Sequence, residues 1–325
     1  MAQQRRLSEK MLRLYEQAKE RLDVGSVPTR VLAEALDISR TSARRIKRHH
    51  SKTARDPIPE KPKQTSAPKK AITHLVIGDA HAAPNQSLER FSLLGRMVRD
   101  IRPDVVICIG DWADMASLSS YDRGKRAFEG RRYSQDVSAA NEALRLFHRE
   151  IDDYNREFPS DPVTPRFVYC EGNHEWRIAR ACNDSPGLDI IGLDDIDFRK
   201  RGWEIFRFLE PASIEGVNYC HYFTSQNTDR AIGGVNAARS LLLKKHITCV
   251  VGHSHLLHHY STIAGNKRIH GLVVGWYCDI PADYARQSNP GWWNGICVLR
   301  NVDDGDFDLE TWSYERIKRT WGKTK

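Results

Sequence analysis

Five short apolar runs of this sequence are each followed at once by side chains that can bind a metal ion. The motifs at these points are GDAH, GDWAD, GNHE, the CH of NYCHYF, and GHSH. Together they offer two carboxylates, one amide and up to five imidazoles. Such a mixture of oxygen and nitrogen ligands suits Mn²⁺, Fe or Zn²⁺. It suits ions that prefer thiolate ligands less well, and also Ca²⁺, which prefers oxygen ligands. The candidate ligands are Asp79, His81, Asp111, Asn173, His174, His221, His253 and His255.

The elements that must position these side chains are strands that alternate with helices. AITHLVIG, DVVICIG, RFVYC, GVNYCHYF and ITCVVG predict strands, and LERFSLLGRMVRDIRP and SAANEALRLFHREIDDYNREF predict helices. This alternation predicts a layered α/β architecture. Because sites in α/β sheets form at the carboxyl ends of strands, we expect the motifs to converge. The later segments IHGLVVGWY, GICVLRNV and DFDLETWSYER predict antiparallel strands at an edge or in a second sheet.

The order GDAH, GDWAD, GNHE, a lone His and GHSH resembles the motif series of the calcineurin-like metallophosphoesterases, over roughly residues 72–280. The resemblance implies a two-layer β-sheet core flanked by helices. It also implies two divalent metal ions, Mn²⁺ first, with Fe, Zn²⁺ or Mg²⁺ as alternatives, and phosphoester hydrolysis by a hydroxide that bridges them. By the resemblance, Asp79, His81 and His255 bind one ion, Asn173, His221 and His253 bind the other, and Asp111 bridges both.

The same resemblance implies roles in catalysis for two further residues. His174 lies near the phosphate and donates a proton to the departing oxygen or stabilises its charge. Asp114 matches the acid that orients this histidine in Ser/Thr protein phosphatases. In those phosphatases an Arg follows the acid and grips the phosphate, but here the position is Met115. Candidates for the missing contact are Arg123, Arg126, Arg131, Arg132, Arg177 and Arg180.

Two longer segments resemble a group of bacteriophage-encoded metallophosphoesterases. They are GDWADMASLSSYDRGKRAFEGRRY and NAARSLLLKKHITCVVGHSH. This resemblance implies a phage or prophage origin, and with it action in the cytoplasm of a bacterial host.

The basic charge is concentrated at the start of the chain. The net charge is +8, but residues 1–70 carry 18 Lys+Arg against 8 Asp+Glu, and the remainder is slightly acidic. This asymmetry indicates a module for a polyanion, or alternatively a solubilising tail. Residues 51–70 contain four prolines and almost nothing apolar, which predicts an extended linker. The sequence thus predicts a module at 1–50, a linker at 51–70 and a metallophosphoesterase domain at 71–325.

The N-terminal module resembles a helix-turn-helix. SEKMLRLYEQAKERL, VLAEAL and RTSARRIKRHH predict three helices. Asp37 stands in the turn where Gly is usual, and Asp tolerates the left-handed conformation better than most residues do. A recognition helix of this type enters the major groove of DNA. The alternative is a small helical bundle with a solvated basic face. The candidate nucleic-acid contacts are Arg40, Thr41, Ser42, Arg44, Arg45, Lys47 and Arg48.

Composition argues against several classes of protein. No apolar run approaches the roughly 20 residues of a membrane span, and the N-terminus lacks the apolar block of a signal peptide. The seven cysteines are odd in number, irregularly spaced and without a CxxC. These features indicate reduced, mostly buried thiols in a cytoplasmic protein rather than a zinc–thiolate site.

Several other residues have both a structural and a functional interpretation. His246 competes with His221 for the position between GNHE and GHSH, and we interpret it as non-ligating. His258 and His259 line the rim of the site or lie in an exposed loop. Trp292 packs in the core or at a sheet edge, or stacks on a base. The histidines interpreted as structural or surface residues are His74, His148 and His270.

Three functions remain open from the sequence. The first, which we favour, is a DNA-directed phosphodiesterase or nuclease whose N-terminal module raises the effective concentration of DNA at the catalytic domain. The second is a phosphomonoesterase or protein phosphatase. Glu175 in GNHE favours it mildly, because nucleases of this superfamily often have Asp there. The third is a DNA-binding regulator with a phosphoesterase-like sensor body, against which the complete ligand set argues. The oligomeric state is open.

Overall fold

The structure, a computed structural model, describes residues 9–21, 24, 26–53, 71–188, 190–226, 228–278 and 291–322. The chain divides into two compact units, Met1–Lys69 and Lys70–Lys325.

The described part of the N-terminal unit contains three helices, α1 (Glu9–Arg21), α2 (Thr29–Ala35) and α3 (Arg40–Thr53). Asp37, in the turn between α2 and α3, has φ 48°, which confirms the left-handed conformation predicted for it. The helices enclose a small apolar core, so the unit has buried side chains of its own. The core residues are Tyr15, Ala18, Val24, Leu32, Ala33, Ala43 and Ile46.

The larger unit is built from strands and helices. Its described strands are β1 (Ile72–Ile77), β2 (Val105–Cys108), β3 (Arg166–Cys170), β4 (Glu204–Phe206), β5 (Ala212–Ile214), β6 (Val217–Tyr219), β7 (Thr224–Ser225), β8 (Thr228–Ala231), β9 (Cys249–Val251), β10 (Leu257–Ala264), β11 (Lys267–Val274), β12 (Gly295–Asp303) and β13 (Asp306–Ser313). Its described helices are α4 (Glu89–Ile101), α5 (Tyr133–Glu157), α6 (Trp176–Asp184), α7 (Ala237–Lys245) and α8 (Tyr314–Trp321).

Two sheets form the centre of this unit. The first has the order β13-β12-β1-β2-β3-β4, in which β1 to β4 are parallel and β12 and β13 extend the edge antiparallel. The second has the order β10-β11-β9-β6-β5, in which β11, β9 and β6 are parallel. Strands β7 and β8 form a separate hairpin. The sequence correctly predicted antiparallel strands late in the chain.

Apolar side chains fill three layers around the two sheets. Phe91 on α4 and Phe147 on α5 belong to a core between these helices and the outer face of the first sheet. Ile107 and Val250, from the first and second sheets, share the core between the sheets. Leu241 on α7 packs on the outer face of the second sheet. This arrangement confirms the predicted α/β fold, a two-layer β-sheet core flanked by helices.

Two stretches differ from the sequence prediction. Strand β13 ends at Ser313, and the residues after it form α8 rather than continuing the strand through Arg316. The Ser313 hydroxyl accepts a hydrogen bond from the backbone N–H of Arg316 at 3.3 Å, so it caps the helix. His258 and His259 lie in β10, paired with β11, rather than in an exposed loop.

Two expectations from composition can be compared with the structure. None of the seven cysteines, all of which lie in the described residues, forms a disulfide, and six are buried with Cys182 partly so, which agrees with the predicted mostly buried thiols. Among the helices that the structure describes, none combines the length and the apolar character required to cross a membrane.

His148 on α5 makes the stability of the larger unit depend on pH. Its Nε2 accepts a hydrogen bond from Trp203 Nε1 at 2.8 Å, which requires an unprotonated nitrogen. Burial, and then the charge of Arg201, lower the pKa of His148 from 6.5 to about 4. Between these pH values the unfolded chain binds a proton that the folded chain does not. The stability present above pH 6.5 is therefore lost as the pH falls towards 4.

We expect this one histidine to lower the free energy of unfolding by about 2 kcal/mol at pH 5 relative to pH 8. In His148→Gln the amide oxygen still accepts from Trp203, but the titration is gone. Urea titrations at the two pH values should therefore show a smaller difference for this variant than for the wild type. His258→Gln is the control. Equal pH dependence in the wild type and His148→Gln would contradict the assignment.

Candidate metal centre

The sheet topology brings the motif loops together. Strands β1, β2 and β3 are parallel, so their carboxyl ends lie at one edge, and β6 and β9 are parallel in the second sheet. Backbone hydrogen bonds join the loops that follow them. The N–H groups of Ala80 and His81 donate to the Asp111 carbonyl at 2.9 Å, and the Gly252 N–H donates to the His221 carbonyl at 3.0 Å. Backbone hydrogen bonds therefore hold neighbouring motif loops together at the ends of the strands, where the sequence predicted that they would converge.

Asp79, His81 and His255 form a first group of possible metal ligands, and all three are buried. His255 Nε2 lies 2.9 Å from Asp79 Oδ2 and 3.4 Å from His81 Nε2. Both Asp79 oxygens also accept from the backbone N–H of His253 at 3.1 Å. The Nδ1 of His255 is buried without a hydrogen-bond partner among the described residues. One carboxylate and two imidazole nitrogens thus point at a common position.

Asp111, His221 and His253 form a second group, with the Asn173 amide beside them. His221 Nε2 lies 2.8 Å from Asn173 Oδ1 and 3.4 Å from Asp111 Oδ2. His221 Nδ1 lies 3.0 Å from the Ile109 carbonyl. Because a carbonyl only accepts, this contact assigns a proton to Nδ1, so Nε2 is the nitrogen that would bind an ion.

A third group, His81, Asp111 and His174, links the other two. Asp111 belongs to the second and third groups, and His81 belongs to the first and third. The residues predicted to bind two ions thus form one continuous cluster, with the Asp111 carboxylate between its halves. The grouping also includes His174, which the sequence resemblance excluded from the ligands.

His174 is held between Asp114 and Arg177. Its Nδ1 lies 2.6 Å from the backbone carbonyl of Asp114 and 3.1 Å from Asp114 Oδ1. Both partners are acceptors, so Nδ1 carries a proton. Its Nε2 faces Arg177 Nη2 at 3.0 Å and Asp111 Oδ2 at 3.8 Å. Asp114 Oδ1 also lies 3.4 Å from His81 Nδ1, so one carboxylate faces two imidazoles of the cluster.

Charges within the cluster determine its protonation. Burial raises the pKa of Asp79, but the hydrogen bond and the charge of His255 outweigh it and hold the pKa below its usual value. Burial also raises the pKa of Asp111, but the charges of the neighbouring imidazoles, of which His174 has the largest effect, hold that pKa well below its usual value. For His174, burial lowers the pKa, but Asp111 and then Asp114 raise it above its usual value. The two carboxylates are ionised at neutral pH.

The backbone of the cluster is held in an uncommon conformation. His81, Asp111, His253 and His255 have φ of 46°, 50°, 66° and 59°, and Met115 has φ 48°. Left-handed conformations are uncommon for non-glycine residues, and they concentrate at functional sites where the surrounding structure maintains the strain. Residue spacing gives no sign of this strain, so the sequence could not predict it.

Two glycines allow the loops to approach the carboxylates closely. A Cβ at Gly172 would lie 2.2 Å from Asp111 Oδ1, and a Cβ at Gly252 would lie 2.3 Å from Asp79 Oδ1. Neither glycine has a positive φ. Conformational freedom in the left-handed region is therefore not the reason for either glycine. Both are required because a side chain at these positions would clash with a carboxylate.

Glu175 is buried beneath the Asp111 loop. Its carboxylate accepts hydrogen bonds from the backbone N–H of Asp111 at 3.1 Å and of Ala113 at 2.7 Å. Burial, followed by the charge of Asp111, raises its pKa to about 8. Glu175 thus supports the loop that carries Asp111. Since its side chain is fully buried and engaged by backbone N–H groups, its identity gives no reason to favour a monoester over a diester.

The structure separates the six candidate phosphate-binding arginines. Arg177 lies at the cluster and donates to the carbonyls of Asp114 at 2.9 Å and Met115 at 3.3 Å. Met115 itself is buried in the apolar core. Arg131 is paired with Asp122 at 2.9 Å. Arg180 lines the same cleft as Arg177, and the exposed residues Arg123, Arg126 and Arg132 do not.

Sequence reasoning missed Arg90, the second residue of α4. It is fully buried, and its guanidinium donates to the carbonyls of Ala80 at 2.9 Å, His81 at 3.2 Å and Ser87 at 2.7 Å. Arg90 thereby holds the loop that presents the first ligand group. The available signal was an arginine among the apolar positions of LERFSLLGRM.

Aromatic rings surround two of the candidate ligands. The His255 ring stacks on Trp276 with centroids 5.4 Å apart and meets Trp292 edge-on at 4.1 Å. The Tyr222 ring lies 4.7 Å from the His253 ring. Of the two interpretations of Trp292, these contacts favour packing, here against His255 and Trp276, over stacking on a base.

The remaining histidines lie in structural positions. His246 ends α7 with φ 57°. His74 Nδ1 lies 2.6 Å from the Tyr219 hydroxyl, and His270 Nε2 lies 2.6 Å from Asp306 Oδ1. These contacts agree with the interpretation of His246 as non-ligating and of the others as structural.

Comparison with known proteins identifies the family. The sequence model of the calcineurin-like phosphoesterases matches residues 72–276, more than half of the chain. No curated protein sequence gives a significant match. Similar solved structures include a conserved uncharacterized protein from Streptococcus pneumoniae TIGR4, described as a predicted phosphoesterase, at 14% identity, covering 76% of this chain and 92% of that one with a TM-score of 0.32.

Two further similar structures are the phosphoesterase Yfce from E. coli and the nuclease MPE from Pseudomonas putida. The first has 14% identity, covers 74% of this chain and 98% of that one, and has a TM-score of 0.33. The second has 12% identity, covers 73% and 87%, and has a TM-score of 0.28. The assignment rests on the family match together with the observed fold. The chain belongs to the calcineurin-like phosphoesterase family, whose members are metal-dependent hydrolases.

Proposed function

We propose that this protein is a DNA-directed phosphodiesterase with a dinuclear metal centre. The observation that carries the proposal is the position of Asp111, which belongs to two of the three groups of possible ligands. A carboxylate has two oxygens, so it can contact two cations at once. The basic N-terminal unit supports DNA as the polymer that carries the phosphodiester.

The cluster fits two divalent cations in its donor chemistry. Asp79, His81 and His255 would hold one ion, and Asn173, His221 and His253 the other, with Asp111 between them. The donors are oxygens and imidazole nitrogens without thiolates, which favours Mn²⁺, Fe or Zn²⁺. His255 Nδ1 is buried without a partner among the described residues, so Nε2, which faces Asp79 Oδ2 at 2.9 Å, is the nitrogen that would bind an ion. When bound, two such ions would polarise the phosphoryl oxygens and acidify a water molecule.

The chain's own residues would bind the phosphate and move a proton. Asp114 holds the His174 proton on Nδ1, so Nε2 faces the space in front of Asp111. In its doubly protonated form, which its raised pKa favours, His174 would donate the Nε2 proton to the departing oxygen and become neutral, with the Nδ1 proton still held by Asp114. Arg177, 3.0 Å from His174, supplies the positive charge that the sequence lacks at Met115. It is our candidate for the phosphate-gripping arginine.

The proposed DNA contacts lie on α3. Arg40, Thr41, Arg44, Arg45 and Arg48 are exposed. The other two candidate contacts are partly engaged within the unit. The Ser42 N–H donates to the Ser39 hydroxyl at 3.2 Å, and Lys47 donates to the Val27 carbonyl. The exposed arginines would bind phosphates, which position a protein on DNA without selecting a sequence.

Hydrolysis assays with Mn²⁺ test the proposal. We expect bis-p-nitrophenyl phosphate to be hydrolysed with a higher kcat/KM than p-nitrophenyl phosphate, and plasmid or single-stranded DNA to be cleaved. EDTA should abolish both activities, and Mn²⁺ should restore them. Robust hydrolysis of the monoester without any DNA cleavage would instead support the phosphomonoesterase alternative. No hydrolysis of any ester would support the sensor alternative.

A further inference from the structure

A cleft of about 430 Å³ opens beside the candidate metal centre. Its lining includes Asn173, Trp176, Arg177, Arg180, Phe208 and Tyr222. The volume lies within the range of small-molecule binding sites, roughly 300–1,000 Å³. Because Asn173 also contacts His221, the cleft begins where a scissile phosphate would lie.

One wall of the cleft is aromatic. Tyr222 lies beside His253, with ring centroids 4.7 Å apart. Phe208 meets Tyr222 edge-on at 5.5 Å, and Trp176 stacks on Phe208 at 5.4 Å with an interplanar angle of 20°. The rings form a continuous chain that leads away from the metal centre. It ends at Trp176, which is 40% exposed.

The cleft is also lined by positively charged side chains. Arg177 and Arg180 both line it, on successive turns of α6. Among the described residues, neither arginine has a carboxylate within salt-bridge distance, and no carboxylate contributes to the cleft lining. A ligand that satisfies both walls therefore combines a flat ring with negative charge.

We infer that this cleft binds the nucleoside attached to the scissile phosphate, with its base stacked on Trp176 and a flanking phosphate at Arg180. The inference rests on the proposed phosphodiesterase function and deepens it, because it names the substrate as an unpaired nucleotide. An aromatic side chain stacks on any exposed base, whereas a base inside a duplex has both faces covered. The site thus favours single-stranded over duplex DNA.

Two diesters with the same leaving group test the inference. Thymidine 5′-(p-nitrophenyl phosphate) and methyl p-nitrophenyl phosphate both release p-nitrophenolate, so the ratio of their kcat/KM values isolates the contribution of the nucleoside. We expect Trp176→Ala to lower this ratio about 5- to 150-fold, the effect of losing one base stack, mainly through a higher KM for the thymidine ester. Trp176→Phe should retain most of the ratio. Tyr260→Ala, which alters another aromatic residue of 40% exposure on β10, should leave it unchanged.

A single-stranded oligonucleotide and a hairpin duplex distinguish a polymer from a mononucleotide ester. Trp176→Ala should lower kcat/KM on the single strand more than on the duplex. An equal loss on both polymers would overturn the preference for single strands. An unchanged ratio of kcat/KM for the two esters in Trp176→Ala would overturn the nucleoside site, whether both values stay the same or both fall equally. Wild-type protein that hydrolyses p-nitrophenyl phosphate but neither diester would overturn the proposed function, and this inference with it.

Discussion

Replacement of Asp111 by Asn is expected to lower kcat for bis-p-nitrophenyl phosphate about 10³-fold, the several kcal/mol that a metal-activated nucleophile contributes. Asp111 is shared between two of the ligand groups, so its charge acts on both halves of the centre. In the wild type, Asp111 Oδ1 accepts a hydrogen bond from the backbone N–H of His174 at 2.9 Å, and the amide oxygen of Asn can accept the same bond. The fold should therefore survive while the bridging charge is lost. Steady-state rates and bound Mn²⁺ per chain, which should also fall, measure the effect.

Asp153→Asn is the matched control, because Asp153 is exposed on α5 and its partner is the surface residue Arg156. This variant should keep wild-type activity and metal content. If Asp111→Asn kept full activity with its metal content unchanged, the dinuclear centre would be refuted. If instead it failed to fold, its thermal unfolding would show it. His174→Ala, which leaves the seven residues proposed to bind the ions intact, would then test the same site, with kcat as the first measurement and bound Mn²⁺ as the second.

The general plan of the fold could be predicted because its signals are local. Apolar runs such as VVIC and ITCVVG are short, and polar residues end them abruptly. Parallel strands then impose a common edge on the motifs that follow them. The short strand β4 and the β7–β8 hairpin have no such pattern, so their existence depends on pairing partners rather than on their own sequence. The α8 cap at Ser313 similarly depends on one hydroxyl.

The ligand types could be predicted, but the residues that hold them could not. Arg90 and Glu175 act through backbone groups of Ala80, His81, Asp111 and Ala113, and sequence spacing does not show which backbone groups a buried side chain will meet. The same limit applied to the choice among the six candidate arginines. A motif comparison pointed to position 115, whereas the guanidinium beside His174 comes from α6, after a different strand. The positive charge beside His174 therefore depends on how the loops after two different strands meet in the folded chain.

Deletion of residues 1–69 is expected to weaken DNA binding about 100-fold or more, while the rate of hydrolysis of small diesters should not change. The N-terminal unit carries the basic excess of the chain, and tethering a second binding unit typically raises affinity by about 10²–10⁴-fold. The larger unit has its own cores, so the truncated chain should fold. Fluorescence anisotropy with a labelled duplex measures the affinity, and hydrolysis of bis-p-nitrophenyl phosphate serves as the control. Equal affinity of both proteins would contradict a DNA-binding role for the N-terminal unit.

The salt dependence of binding separates specific use of α3 from a general basic tail. If Arg40, Arg44, Arg45 and Arg48 each bind one phosphate, the full-length chain should lose affinity with a slope of about −3.6 in log K against log salt. Replacing these four exposed arginines by Ala should remove that slope. Replacing Arg55, Lys61, Lys63 and Lys69, which follow α3 in the sequence and carry equal charge, should remove it only if charge alone attracts DNA. The contrast between these two variants of equal charge therefore decides whether α3 is an oriented binding surface.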